Sequence, residues 1–285
     1  MKVLVIGVGY WGSKLLDRLK RLQPAPDVTV VDLNLVAICQ ERPEVMERLR
    51  GTLAYDDYQL ALTAEPDFDT CIVATPISTH YAIVKDCLLA GKHVLVEKPM
   101  AKFGAEARDL MVLAGNRGLV LRTDLTFLEH AAVKLLAGAE LAALFWAGPK
   151  SPRSDEGILW TWGPHPVSIM LYAHLGKKPV AVEADVDDGY LDLRYYFEDS
   201  TRTVVNMRWG GPGAVALRQA TLRDPDAHRY SMLDLTPIPD PEPLAQVVDH
   251  FLQAVKDHDT TPDWTGMKTV EVLEWTEQQL SKSRF

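Results

Sequence analysis

Val3-Leu4-Val5-Ile6-Gly7-Val8-Gly9-Tyr10-Trp11-Gly12 lies at the start of the chain. A short β-branched run (Met1–Ile6) meets a glycine turn, and Ser13–Leu22 then carries apolar residues at helical spacing. After the Pro-broken loop Gln23–Asp27, a second β-branched run, Val28–Val31, stops at Asp32, twenty positions after Gly12. Strand, glycine turn, helix, strand and acid in this order suit a bound dinucleotide. Gly7 permits the tight turn, Gly9 lets the backbone approach a pyrophosphate, and Gly12 lets helix and strand pack closely. The helix start, with Tyr10 and Trp11, presents N–H groups and partial positive charge to the phosphates. Asp32 is placed to accept the ribose hydroxyls and repels a 2′-phosphate, which favours NAD over NADP. Leu35–Cys39 is a competing second strand, and it would bring Gln40 and Arg42 to the ribose and tolerate NADP.

The same rhythm continues to about residue 121. Phe68–Thr75, His93–Val96 and Leu119–Leu121 read as buried parallel strands, and helices are expected near Ser78–Ala90 and Ala105–Asn116. Ser78-Thr79-His80 offers N-caps to the first of these helices. Beyond Arg122 the pattern changes. Phe127–Leu136 and Pro164–Leu175 read as helices, and Leu141–Trp146, Val180–Asp185, Leu191–Phe197, Thr203–Trp209, Val215–Leu222 and Tyr230–Leu235 read as strands. Two helices, Leu244–Val255 and Trp264–Leu280, close the chain. The expected architecture is α/β: a doubly wound parallel Rossmann sheet over residues 1–121, then an α+β domain over 122–285 with an open, largely antiparallel sheet. The last helix is expected to pack back on the first domain.

Composition narrows the function classes. With 285 residues, 47% of them hydrophobic and 24% charged, the chain suits two ordinary globular domains. A formal net charge of −9 with no basic cluster disfavours nucleic acid. Cys39, Cys71 and Cys87 have no metal-ligand spacing and read as buried thiols of a reducing compartment. The apolar run at the start is too short for a secretion signal and no stretch reaches the length of a membrane span, so a cytoplasmic protein is expected. The histidines show no HExxH or Cys/His clustering, and no metal site is assigned.

Two stretches carry chemistry. In Val96-Glu97-Lys98-Pro99 the proline holds Lys98 extended at a strand end. A neutral lysine amine there can exchange a proton with a carbinol oxygen beside a nicotinamide, although a surface lysine at a strand end fits the residues equally well. In Leu159-Trp160-Thr161-Trp162-Gly163-Pro164-His165 the histidine lies in the first turn of a helix, which disfavours the imidazolium and suits a neutral hydrogen-bond partner. A half-buried histidine packed on tryptophan is the competing reading. Trp160 and Trp162 fill the core or, if the chain acts on a sugar as the resemblance given next implies, offer faces for stacking on its ring.

Taken together, these motifs resemble the glucose–fructose oxidoreductase/inositol dehydrogenase (Gfo/Idh/MocA) family of NAD(P)-dependent oxidoreductases, over nearly the whole chain. Ile6–Gly12 looks like the family's opening loop, Ala74-Thr75-Pro76-Ile77-Ser78-Thr79-His80 like its second cofactor segment, and His93–Pro99 like its EKP strand. Arg153-Ser154-Asp155 with Leu159–His165 is similar to the substrate-side motif R-x-D…W-D-x-x-x-H. The resemblance implies that Lys98 is the catalytic lysine and His165 the substrate-side histidine. It implies that Thr75, Pro76, Ser78, His80, Glu97 and Pro99 line the cofactor site, and that Thr161 meets a sugar, sugar-nucleotide or cyclitol, as do Arg153 and Asp155 unless those two form a solvated salt bridge instead. It also implies a homodimer or homotetramer built through the open sheet. The family's Asp four residues before the histidine is Thr161 here, and the acid three residues after it is Ser168. Loss of that Asp also fits a non-catalytic dinucleotide sensor, or a reductase of a non-sugar imine or enone.

Overall fold

The computed structural model describes residues 1–32, 34, 43–64, 67–149, 156–187, 189–211, 214–224, 229–236 and 242–282. The competing strand at Leu35–Cys39, with Gln40 and Arg42, lies outside the described residues, as do Cys39, Arg153 and Asp155. By contacts the chain divides into two units, Met1–Asp124 with Leu244–Asp263, and Leu125–Pro243 with Trp264–Phe285.

The first unit holds six strands: β1 (Lys2–Ile6), β2 (Asp27–Val31), β3 (Leu53–Tyr55), β4 (Thr70–Val73), β5 (His93–Glu97) and β6 (Leu121–Asp124). All pair in parallel, in the order β3-β2-β1-β4-β5-β6. The apolar runs form central strands because both sheet faces are covered, and all four residues of β4 are buried. The order reverses between β1 and β4. There the loops leaving the two strands diverge and open a crevice at the carboxyl edge. Ile6 is in register with both Val31 and Val73, so three strands end level at that crevice. β6 starts two residues later than expected because Gly118, in the left-handed region at φ 63°, ends the preceding helix. The N–H of Leu119 then bonds to the carbonyl of Ala114 at 2.9 Å, which spends the first residues of the expected strand on the helix cap.

The helix Tyr10–Arg21 buries Leu15, Leu16 and Leu19 on this sheet. The helix Pro243–Asp257 returns to the same core, with Leu244, Val248, Phe251 and Val255 packed alongside Val3, Val5 and Leu15. Arg18 pairs with Asp249 across the two helices. The next segment is stitched to β6, where Arg122 donates to the Thr261 carbonyl at 2.6 Å and Asp263 accepts the Thr123 N–H at 2.7 Å. The penultimate helix, and not the last, therefore completes this unit. The final helix, Trp264–Lys282, packs instead on the helix Pro164–Ala173 of the second unit, burying Met267, Val270 and Leu273. Six apolar residues on one face make Pro243–Asp257 a full partner for a sheet, but that stripe does not say which sheet.

The second unit is built on β7 (Leu141–Gly148), β8 (Ala181–Asp187), β9 (Tyr190–Tyr196), β10 (Arg202–Trp209), β11 (Leu217–Asp224) and β12 (Arg229–Asp234). Their order is β12-β11-β7-β10-β9-β8, with every pairing antiparallel except β7 with β10. Strict alternation shows which face is covered. Leu191, Leu193, Tyr195, Thr203, Val205 and Met207 are buried, and the residues between them on β9 and β10 are not. The helix expected at Phe127–Leu136 is broken into a 3₁₀ turn, Thr126–Glu129, and a short helix, Ala131–Lys134. His130 separates them, its Nδ1 accepting the Ala132 N–H at 3.2 Å as an N-cap. Among the described residues no helix is long and apolar enough to cross a membrane.

Candidate functional site

The glycine turn performs three separate tasks. Gly7 has φ +91°, and a Cβ there would lie 2.7 Å from the Ala74 carbonyl oxygen. At Gly12 a Cβ would lie 1.8 Å from the Gly7 carbonyl oxygen, so the helix touches the turn backbone to backbone. Nothing lies within 4 Å of the corresponding position at Gly9. The helix that follows has no side-chain cap and no acid in its first turn. Its first N–H groups are thus turned to whatever approaches Gly9, and a pyrophosphate fits the charge and the open space.

Asp32 stands at the end of β2. Its Oδ2 accepts the Val8 N–H at 2.8 Å and its Oδ1 the Asn34 N–H at 2.9 Å. Each oxygen keeps a lone pair for a ribose hydroxyl, and the carboxylate also staples the loop beside the glycines. Tyr10, 47% exposed, meets Trp11 edge to face with centroids 5.3 Å apart. Lys14 Nζ lies 4.7 Å from both centroids. This cation at the loop was not singled out in the sequence, although its spacing of four and three residues from the rings places it on the same helix face.

The strand-end loops after β4 and β5 are bolted together. The helix Ile77–Leu89 is preceded by Pro76 as its N-cap, not by Ser78, Thr79 or His80. The Thr79 hydroxyl lies 2.8 Å from that of Thr75 and donates to the Pro76 carbonyl at 2.7 Å. Pro76 and Ser78 are exposed, and Thr75 is half-buried. His80 differs from the expectation of a cofactor contact: it is 1% exposed, with Nε2 at 2.8 Å from the Thr75 carbonyl and Nδ1 at 2.9 Å from the Pro99 carbonyl. A neutral imidazole has one N–H, so donating to both carbonyls takes the doubly protonated ring. His80 is a brace between the two loops. The second loop carries Lys98, half-buried, ahead of a cis Lys98–Pro99 peptide and a buried Pro99. The register of β5 and β6 sets Glu97 (8% exposed) directly beside Asp124 (1%). Two carboxylates away from water need a cation or proton nearby, and Asp124 is an acid at this edge that the sequence reading did not single out.

In the second unit, Pro164 occupies the first turn of the helix Pro164–Ala173 and His165 follows it. The His165 ring stacks on Trp146 at 5.6 Å and meets Phe127 edge to face at 4.9 Å. Arg218 on β11 lies over both aromatic rings, 5.2 Å from the Phe127 centroid and 5.3 Å from that of Trp146. Phe127, Trp146 and Arg218 were not anticipated around His165, since they come from three distant segments. The two tryptophans of the motif have the other fate open to them. Trp160 is 1% exposed and donates its indole N–H to Glu277 at 2.9 Å, and Trp162 is 8% exposed. Their surface is spent inside the unit, which corrects the expectation that they stack on substrate. Thr161 is half-buried between them. Ser168, at the position of the family's second acid, donates to the His165 carbonyl at 2.8 Å.

Residues 1–125 match the family described as "Oxidoreductase family, NAD-binding Rossmann fold". The chain is 29% identical over 286 residues to a dTDP-3,4-didehydro-2,6-dideoxy-α-D-glucose 3-reductase of Streptomyces antibioticus, across 84% of this chain and 85% of the relative. It is 30% identical over 190 residues to the UDP-N-acetylglucosamine 3-dehydrogenase of Acidithiobacillus ferrooxidans, across 65% of this chain and 57% of that protein. The structure of GenD2 from gentamicin A biosynthesis, in complex with NAD, superposes with a TM-score of 0.80 at 21% identity, covering 96% of this chain and 92% of that one. At that identity the likeness is one of fold. With its glycine turn and its braced EKP loop, the first unit is similar to the NAD-binding domain of the Gfo/Idh/MocA oxidoreductases, whose family pattern matches residues 1–125.

Proposed function

We propose that the protein transfers a hydride between a nicotinamide dinucleotide, NAD in preference to NADP, and a carbinol or carbonyl carbon of a sugar, sugar-nucleotide or cyclitol-like substrate. The observation that carries this reading is the pair of loops joined by His80, which holds Lys98 at the sheet edge where the glycine turn also ends. Gly7, Gly9 and Gly12 with the uncapped helix would hold the pyrophosphate, and Asp32 the ribose. When bound, the dinucleotide accepts or supplies the hydride. Lys98 takes the proton from the substrate oxygen during oxidation and returns it during reduction. His165 orients that oxygen, and the half-buried Thr161 replaces the charge of the family's Asp with a neutral hydroxyl. The relatives' substrates, a dTDP-sugar and a UDP-sugar, support the substrate class. Buried thiols at Cys71 and Cys87 suit the reducing cytoplasm, and the uncovered face of the second sheet suits pairing with another copy of the chain.

The test joins NADH fluorescence titration to a turnover screen over sugars, nucleotide sugars and cyclitols. The reading expects saturable NADH binding and turnover on at least one of them. The presence of Thr161 favours a second reading, a dinucleotide-binding sensor, which expects the same binding and no turnover on any.

A further inference from the structure

We propose that Arg218 anchors an anionic group of the substrate, a phosphate or a carboxylate, and so makes the protein selective for charged substrates over neutral sugars. The inference rests on the reading of the His165 cluster as the substrate side. Arg218 is directly opposite Trp146 in the β11–β7 ladder, and Ala220 is opposite Leu144. Ala220 and Leu144 are fully buried, and residues two apart on a strand share a face, so Arg218 projects to the helix-covered side of the sheet. A guanidinium there is unusual. It lies on the rings of Phe127 and Trp146, the same two rings that hold His165.

Among the described residues no carboxylate pairs with it, and its Nε is shut off from water without a hydrogen-bond partner. Burial pulls its pKa below the ordinary arginine value. Contacts with aromatic faces return only part of what desolvating a cation costs. The planar fork of N–H donors matches two oxygens of a phosphate or a carboxylate, whereas a neutral sugar hydroxyl would leave the charge uncompensated.

The experiment follows the ¹⁵N–¹H resonance of Arg218 Nε in NADH-saturated protein, assigned by its absence in Arg218→Lys. Saturation with NADH keeps phosphates out of the dinucleotide site. Inorganic pyrophosphate, glucuronate and glucose are added separately. The expected result is a saturable shift with pyrophosphate or with glucuronate and none with glucose. Which anion acts tells phosphate from carboxylate. Arg218→Gln should weaken that anion at least tenfold while NADH affinity stays unchanged. An Nε resonance indifferent to both anions overturns the proposal, as does wild-type anion affinity in Arg218→Gln. Should Arg218→Gln fail to fold, the resonance in the wild-type protein decides alone. Hydride transfer is read separately by NADH absorbance. Arg218-dependent anion binding without turnover leaves the anchor and removes the reaction, whereas turnover with equal KM values in the wild type and Arg218→Gln does the reverse.

Discussion

Gly12→Ala should unseat the first helix of the Rossmann unit, whereas Gly9→Ala should leave the fold intact and harm only cofactor binding. At Gly12 the new Cβ falls 1.8 Å from the Gly7 carbonyl oxygen. Comfortable contact begins near ~3.5 Å, so backbone must retreat by roughly 1.7 Å along a helix whose Leu15, Leu16 and Leu19 are fully buried. Alanine regains about 1 kcal/mol of helix propensity. Overpacking of this kind costs about 3 kcal/mol, the top of the usual range, because both colliding atoms belong to backbone. The net loss of about 2 kcal/mol corresponds to a fall in Tm of roughly 4–8 °C. At Gly9 nothing lies within 4 Å, so the methyl group meets no protein atom. It would instead occupy the space through which the pyrophosphate approaches, and NADH affinity should fall about tenfold, or ~1.4 kcal/mol. Thermal melts and NADH fluorescence titrations on the two variants read both quantities. Unchanged NADH affinity in Gly9→Ala, or an unchanged Tm in Gly12→Ala, would refute the division of labour drawn from the glycine geometry.

Other perturbations address the rest of the site. His80→Gln keeps one donor of the two-sided brace, so turnover should fall roughly 10–100-fold through a misplaced Lys98 loop. In the wild-type protein, ¹⁵N NMR should find a proton on both ring nitrogens of His80, and a singly protonated ring would defeat the brace. Asp32→Ser should shrink the preference for NADH over NADPH, measured as a ratio of dissociation constants, and an unchanged ratio would free Asp32 of that role. His174 stacks on Phe197 at 3.7 Å and donates through Nε2 to Thr203 at 2.8 Å, since the Thr203 hydroxyl is itself committed to the Leu141 carbonyl. Burial lowers the pKa of His174, and burial likewise lowers that of His93, so the unfolded chain takes up their protons first as pH falls. Their stabilising contribution is therefore complete above about pH 6.5 and is lost as pH falls through the depressed folded-state values. Tm should decline on the acid side of neutrality, with a shallower slope in His174→Gln, and an equal slope in the variant would exclude His174.

The parts of this protein that were legible in its sequence are those whose logic is local. Gly7, Gly9, Gly12 and Asp32 lie within one β–α–β unit, so their spacing alone was enough to place them at one turn. The buried β-branched runs of β1, β4 and β5 likewise announced a parallel sheet. β3, three residues long and largely exposed, carries too little pattern to be seen. Non-local facts were hidden. Nothing in Leu244–Val255 says that its apolar face belongs with Val3 and Leu15. His80 reads as a polar residue near a helix start, and only the fold shows that its two nitrogens meet carbonyls from different loops. Arg218 sits in a strand where an arginine is expected to face outward. Its partners Phe127, Trp146 and His165 come from segments that strand pairing alone brings together.

The proposed hydride transfer stands on Lys98 moving the proton. Its most direct test is the initial rate of Lys98→Ala, with NADH affinity measured on the same preparation, using the best substrate of the turnover screen. The rate should fall by about two to four orders of magnitude with NADH binding nearly unchanged. A variant that turns over at the wild-type rate would contradict it.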